Sequence, residues 1–319
     1  MDVFAVVAGA QEKYLRDAVL RAAADLRLWP ALPATPDAAA RALGLRSPRR
    51  LRRLLDALAL FGAARRDGEV FHALFHEAPG PVPEGGWGRL AEVIRSDRPL
   101  AEPGVSGDDA PEALGRFHAY LFETGGAPAR ELWEALAQFA GGAPAQAPGL
   151  RPQASGLKPR LGPLLDLGGG AGAYAEAFPG EATLVDTAAV LRLSRAPAAR
   201  VLALDLLSGV YPGDQGVVLL SNVLHLFGEA DCRSVVGKAA GALRKGGLLV
   251  VKDLEIAPDR SGPPEGVLFA LNMALFTEAG DVHDPPTVEG WLRDAGLAGP
   301  QRLRLATSPG SLVLACAKP

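Results

Sequence analysis

Residues 15–60 carry their apolar side chains at intervals of three and four. Leu15, Val19, Leu20, Ala23 and Leu26 share one face of a helix, and residues 37–45 form a second, short one. A break at Arg46-Ser47-Pro48 precedes a third helix over 49–60, with Leu51, Leu54, Leu55 and Leu58 as its stripe. Ser47 suits its N-cap and Pro48 its first turn, where a missing N–H costs nothing. The run RRDGEVFHAL then reads as a small hairpin turning at Asp67–Gly68.

Helix, turn, helix and hairpin in that order make a winged-helix arrangement. Residues 78–86 (APGPVPEGG) interrupt the pattern as a loop. Two further helices are expected over 111–123 and 129–139, carrying the aromatic cluster Phe117, His118, Tyr120, Phe122 and Trp133. Most of that cluster reads as core, although a face with Phe117 and His118 would also suit closure over an apolar substrate.

A Gly-, Pro- and Ala-rich stretch at 141–163 reads as a linker, and beyond it the period changes. Short apolar runs at 164–167, 183–185, 201–204, 217–221 and 248–252 alternate with helices near 174–178, 187–193, 230–243, 267–276 and 288–295. A last hairpin pairs 302–306 with 312–317 across Ser308-Pro309-Gly310. The fold class is therefore α/β: a doubly wound, Rossmann-like parallel sheet behind a mainly helical winged-helix domain. Ligands in such sheets bind at the carboxyl ends of the strands.

Composition narrows the function. The net charge of -3 gives no general pull toward nucleic acid or anionic membrane. Two cysteines, Cys232 and Cys316, are too few for a disulfide framework or a metal cage, and a reducing cytoplasm is the natural setting. The apolar start at Val3, Phe4, Val6 and Val7 meets charge at Glu12, Lys13, Arg16 and Asp17, so it reads as an amphipathic helix rather than a signal peptide. No apolar run approaches the roughly 18 residues of a membrane span, so no membrane insertion is expected. Arg46, Arg49, Arg50, Arg52 and Arg53 raise DNA binding as a function class. A solvated helix face or a subunit contact is the preferred reading, and no nucleic-acid partner is expected.

The chemistry gathers where the first sheet strand runs into Asp166-Leu167-Gly168-Gly169-Gly170-Ala171-Gly172. Glycines there permit a tight strand-to-helix turn and close approach of a ligand. Asp186, 18 residues past Gly168, ends the second strand, where a carboxylate can accept from two ribose hydroxyls. Asp205, beside Leu206, ends the third, in reach of an adenine amino group. A Walker loop is excluded because no Lys-Ser or Lys-Thr follows. Gly168-x-Gly170-x-x-Ala173 also fits a dinucleotide fingerprint, which leaves an NAD enzyme as an alternative. Asp166 argues against it, because an acid just before the glycines repels a pyrophosphate and welcomes a cation.

The ordered set DLGGGAG, TLVD, LALDLL, SNVLHLF and ALRKGGLLVVKD over 164–253 resembles the S-adenosylmethionine (SAM)-dependent O-methyltransferases of the caffeate, acetylserotonin and hydroxyneurosporene type. Those enzymes carry an N-terminal winged-helix dimerisation domain, so the resemblance covers most of the chain. It implies a winged-helix-like dimerisation domain at 1–85, a helical connecting or lid region at 86–150 and a SAM-binding domain at 151–319. It implies cofactor contacts at Asp166, Gly168, Gly170, Asp186, Asp205, Leu206 and Ser221, and the product S-adenosylhomocysteine. It puts His225 at the catalytic base and Asp253 at an acid that orients it. It also makes 266–276 a substrate-lining helix, with Phe269, Asn272, Met273 and Phe276 beside Phe117 and His118. Of that helix, Asn272 alone rises above an ordinary core stripe.

This chain departs from the family in following the histidine with Leu226 and Phe227, where many members have Asp and Trp. Asp281, His283 and Asp284 are nearby candidates for a polar partner of the histidine, with a plain polar loop as the preferred reading. The expectation is a homodimeric O-methyltransferase acting on a hydroxyl of an apolar or aromatic small molecule, with no metal. N- or C-methylation, or a non-methylating use of SAM, is the alternative within the fold. An NAD-dependent oxidoreductase and a winged-helix DNA-binding regulator are the alternatives of another class.

Overall fold

A computed structural model describes residues 10–74, 78–82, 86–100, 110–140 and 161–319. The apolar start Val3–Val7 and residues 141–160 of the linker lie outside them. In chain order the helices and strands are α1 (Ala10–Asp25), α2 (Pro36–Ala42), α3 (Pro48–Leu60), β1 (Ala64–Asp67), β2 (Val70–Ala73), α4 (Leu90–Ser96), α5 (Ala110–Ala140), β3 (Leu164–Leu167), α6 (Ala173–Ala177), β4 (Ala182–Asp186), α7 (Ala188–Leu191), β5 (Arg200–Ala203), β6 (Gln215–Ser221), α8 (Glu229–Ala242), β7 (Leu243–Leu254), α9 (Pro264–Phe276), α10 (Pro285–Asp294), β8 (Ala298–Leu303) and β9 (Ser311–Ala317).

The chain forms two compact units that do not follow consecutive segments. One comprises residues 1–102, 225–227 and 255–284, and the other 103–224, 228–254 and 285–319. Thus α9 and the segment around His225 group with the N-terminal helices.

In the first unit the local signals act as the sequence suggests. Thr35 Oγ1 accepts from the Ala38 N–H at 3.2 Å to cap α2, and Ser47 Oγ accepts from the Arg49 N–H at 3.2 Å to cap α3. The β1–β2 hairpin pairs Asp67 with Val70 around Gly68, whose φ of +56° suits glycine. Val19 of α1, Leu51, Leu54 and Leu58 of α3, Ile94 of α4 and Leu271 and Leu275 of α9 make one core. Each such side chain contributes roughly 1.5–3 kcal/mol by burial.

Into this core α3 also sends Arg50, only 1% exposed. Its Nε donates to Asp97 Oδ1 at 3.0 Å, Nη2 to the Thr277 carbonyl at 3.2 Å, and Nη1 to the Ala274 carbonyl. Burial of a guanidinium is tolerable because its donors are so engaged.

The second unit holds a seven-stranded sheet in the order β5-β4-β3-β6-β7-β9-β8. Strands β3 to β7 run parallel, while β9 is antiparallel to both β7 and β8. The chain leaves β3 toward β4 and β5, then returns to place β6 on the other side. The carboxyl ends of β3 and β6 therefore flank the topological switch point, where open α/β sheets bind ligands.

Several element boundaries differ from the sequence reading, β7 for example beginning at Leu243 rather than 248, and two of the differences have a clear cause. The separate helices at 111–123 and 129–139 are one helix, α5, running through Pro128. Gly125, between those two ranges, serves packing: a Cβ there would stand 2.9 Å from the Ala173 Cβ of α6. The final hairpin begins at Ala298 rather than 302, because β8 is an edge strand whose polar, exposed residues give no apolar signal.

Arg50→Leu is expected to destabilise the protein by about 1–3 kcal/mol, since it leaves the buried Ala274 carbonyl and the partly buried Thr277 carbonyl and Asp97 without this donor. Chemical denaturation of the two proteins measures it, and a loss under about 1 kcal/mol would contradict the role given to Arg50.

Candidate functional site

Three strand ends of the second unit, those of β3, β4 and β6, carry Asp166, Asp186 and Ser221. Asp166 lies inside β3 and is fully buried. Neither carboxylate oxygen makes a well-formed hydrogen bond among the described residues. Burial first, then the Asp186 charge, pushes its carboxyl up to about 7, against a smaller pull from the Ala175 N–H. A buried acid of this kind is held near neutrality and responds strongly to any cation placed beside it.

The glycine turn passes directly over that acid. A Cβ on Gly169 would come within 2.5 Å of Asp166 Oδ2. Gly170 has φ +62°, and its Cβ would meet His118 Nδ1 of α5 at 3.2 Å. The turn is thus free of side chains by necessity on both faces. Sequence reasoning passed over Gly169, whose signal was simply its place in the glycine run.

Asp186 ends β4 with its carboxylate accepting from the Gly170 N–H at 2.9 Å and the Thr187 N–H at 2.7 Å. It ties the second strand to the glycine turn. Ser221 ends β6 with 8% exposure, and its hydroxyl makes no full hydrogen bond, although the nearby Tyr174 phenol feels it. Tyr174 itself was not singled out from sequence. Burial pushes its phenol up, and Asp166 adds to the effect.

Asp205 stands apart from this group. It is exposed, and Oδ1 accepts from the Leu207 and Ser208 N–H groups at 3.1 and 2.7 Å and from Ser208 Oγ at 2.8 Å. Those contacts, the Ser208 backbone first, hold its carboxyl below the usual range. The Leu206 carbonyl accepts from the Tyr211 hydroxyl at 2.7 Å and Lys238 Nζ at 2.8 Å, which fixes this loop. His118 is buried with no hydrogen bond to Nδ1, and burial lowers its pKa while Asp186 opposes that. Its neighbour Phe117 is half exposed, with the two rings edge to face at 5.4 Å.

The first unit holds His225, in the short turn Leu224–Leu226. The ring is 7% exposed and meets Phe269 of α9 edge to face at 4.9 Å. Its main-chain carbonyl accepts from the Asp281 N–H at 3.0 Å. Asn272 Oδ1 accepts from Trp87 Nε1 at 3.2 Å, so this asparagine is engaged by the protein itself. Met273 is buried, and Phe276 packs partly buried against the first unit's core. His283 Nε2 lies 3.1 Å from the Phe227 carbonyl. Asp253 belongs to β7 of the second unit, nearly buried, with Oδ1 accepting from the Leu254 N–H at 2.8 Å.

The arginines of α3 are not the solvated face that the sequence suggested. Arg49 donates to the Gly280 carbonyl at 3.2 Å, Arg52 to Glu69 at 2.8 and 3.2 Å, and Arg53 pairs with Asp281. With Arg50 buried as well, Arg46 is the exposed member of the five. Among the described residues no cluster of His, Cys, Asp and Glu could hold a metal ion. No helix there is long and apolar enough to cross a membrane.

A sheet of this order, parallel from β3 to β7 and closed by the antiparallel β9, with a side-chain-free turn over a buried acid at its switch point, gives an α/β nucleotide-cofactor type of domain. A family model described as the O-methyltransferase domain matches residues 154–298. Acetylserotonin O-methyltransferase of Mus musculus is 30% identical, over 82% of this chain and 76% of that protein. The 3-hydroxy-5-methyl-1-naphthoate 3-O-methyltransferase of Streptomyces sahachiroi is 29% identical over 71% of this chain, and the match spans 64% of that enzyme's length. The crystal structure of an O-methyltransferase family 2 protein from Planctomyces limnophilus, complexed with apigenin, superposes with a TM-score of 0.65. That match has 21% identity and covers 96% of this chain and 93% of the other. The chain belongs to the O-methyltransferase family, whose methyl donor is SAM.

Asp166 provides a pH test. Its folded pKa is raised from the ordinary 3.8 to about 7, so the folded protein keeps a proton that the unfolded chain releases between those values. Its contribution to stability therefore falls as pH rises from about 4 to about 7. Asp166→Asn should abolish this fall, so parent and variant should differ with a slope across that window in urea denaturation. A pH-independent difference would contradict the raised pKa.

Proposed function

We propose that this protein transfers the methyl group of SAM to a hydroxyl oxygen on an apolar, aromatic small molecule, with His225 as general base. The observation that carries the reading is the buried, poorly bonded Asp166 under the glycine turn at the switch point. It is a site for a ligand with a positive centre and no bulk at the turn, which SAM meets and a pyrophosphate does not. Bound SAM supplies an electrophilic methyl on a sulfonium. Gly168 and Gly170 let the ligand approach the backbone, Asp186 offers oxygens to the ribose, and Asp205, Leu206 and Ser221 complete the cofactor's surroundings.

His225 takes the acceptor's hydroxyl proton as the new C–O bond forms. In-line displacement makes alignment a large part of the rate, and a positioned imidazole adds roughly 10²–10⁴-fold. Asp253 assists by orienting the imidazole. The Phe269 ring beside His225 suits a flat acceptor, with Phe117, His118, Asn272, Met273 and Phe276 as the other acceptor-side residues. The naphthoate, acetylserotonin and apigenin in the names of the relatives support an aromatic acceptor.

The family resemblance of the sequence motifs supports a homodimer joined through a winged-helix domain at 1–85, followed by a connecting or lid region at 86–150 and a cofactor domain within 151–319, from which 225–227 and 255–284 depart to group with the N-terminal helices. Cys232 and Cys316 are buried and not joined in a disulfide, which agrees with a reducing cytoplasm. The inward arginines of α3 leave little for a DNA phosphate backbone.

Incubation with SAM and a panel of hydroxynaphthoates and hydroxyflavones, read by mass spectrometry, should give an O-methyl ether. His225→Ala should lower kcat by about 10²–10⁴-fold with SAM affinity unchanged. Full turnover by that variant would contradict the base, and methyl on nitrogen or carbon would favour the alternative reaction.

A further inference from the structure

The loop after α9 wraps the main chain around His225 and is in turn gripped by α3. Asp281 gives its backbone N–H to the His225 carbonyl at 3.0 Å, and two residues away His283 Nε2 reaches the Phe227 carbonyl at 3.1 Å. Gly280 permits this approach, since a Cβ there would collide with the His225 carbonyl oxygen and stand 2.5 Å from Thr277 Oγ1. Thr277 Oγ1 accepts from the Gly280 N–H at 2.9 Å and closes the turn.

The grip comes from Arg49, Arg50 and Arg53, which helical spacing sets on adjoining parts of one face. Arg49 holds the Gly280 carbonyl and Arg50 the Thr277 carbonyl, each at 3.2 Å. Arg53 pairs with Asp281 Oδ2, and Arg260 takes Oδ1 at 2.9 Å. Arg260 also binds Asp56 Oδ2 at 2.8 Å, and Arg53 lies 3.9 Å from the same oxygen, so Arg53, Arg260, Asp56 and Asp281 form one ion cluster, which Arg66 joins at 3.9 Å from Asp56 Oδ1. The first four side chains are at most 13% exposed. Burial opposes the ionisation of Asp281, yet Arg53 and Arg260 outweigh it and hold its carboxyl below the usual range.

Buried ion groups seldom add net stability, because desolvation offsets their attraction, so their use is sought in geometry. Here the geometry ends on the main chain of one residue. We infer that Asp281, clamped between Arg53 of α3 and Arg260, is a positioning residue that fixes the His225 main chain and so aims its imidazole for proton removal. The inference rests on the reading of His225 as the base. Asp281 touches no reacting atom; it acts through His225. The basic face of the helix that would read DNA in a winged-helix regulator serves the catalytic loop.

The test compares Asp281→Asn, which keeps the size and the N–H but loses the charge, with the parent in the full chain. The acceptor is whichever hydroxynaphthoate or hydroxyflavone the parent methylates. The expected result is a fall in kcat of about 10- to 100-fold, the scale on which a misplacement of about 1 Å acts, with SAM affinity within about twofold. Asp281→Glu should recover part of the rate, and in a His225→Ala background Asp281→Asn should cost nothing more. Should Asp281→Asn fail to fold, Arg49→Gln, which loosens the same loop at Gly280, is read by the same criteria. Full activity of the variant beside a crippled His225→Ala would overturn the clamp and leave the base intact. An additive loss in the His225→Ala background would also overturn it, as mere structural damage. Full activity of His225→Ala, or no methylation of any acceptor, would overturn the underlying reading and the inference together.

Discussion

A carboxyl group sits at the carboxyl end of β3 with no well-formed hydrogen bond among the described residues, directly beneath a turn too tight for side chains. The rest of the cofactor end follows from that arrangement. Glycine at 169 is forced by the acid below, and glycine at 170 by its positive φ and the imidazole of His118 above. Asp186 is then drawn to the turn by the Gly170 N–H, which links the first two strands of the sheet. An isolated buried acid is costly, and a cationic ligand is the kind of partner that offsets the cost. The site is thus unfinished in a chemically specific sense.

The first unit resolves a different electrostatic problem. A helix with four arginines in five residues, and Arg46 just before it, would repel itself if they were left in solvent together. Instead, those four find carbonyls or carboxylates of the protein, with the Arg50 contact to the Ala274 carbonyl buried. The partners lie more than two hundred residues later in the chain for Arg49 and Arg53. An interior made this way has few alternative arrangements, because moving the loop after α9 would leave charges unpaired.

Much of this was legible in the sequence. Strand β3, the glycine turn, the α3 cap at Ser47 and the hairpin at Gly68 rest on local chemistry, and local chemistry is what a sequence displays. The one helix α5 was read as two because Gly125, Gly126 and Pro128 ordinarily end helices, whereas tertiary packing against Ala173 decided the matter. Strand β8 was displaced because an edge strand with exposed polar residues carries no alternation to read. The grouping of α9 with α3, and the Arg53–Asp281–Arg260 contacts, depend on pairings distant in sequence. A basic stripe gives no sign of whether its partners are phosphates, water or its own carboxylates. Asn272 looked functional because an amide is rare in an apolar helix, and Trp87 turned out to hold it.

The central claim is that the turn over Asp166 is built for a cationic nucleoside and not for a pyrophosphate. Calorimetric titration of the purified protein with SAM, S-adenosylhomocysteine and NAD tests it most directly. The account predicts micromolar binding of the SAM pair, lost in Asp186→Ala, and no measurable binding of NAD. Tight binding of NAD with none of SAM would contradict it, and the roles given to His225 and Asp253 would fall as well.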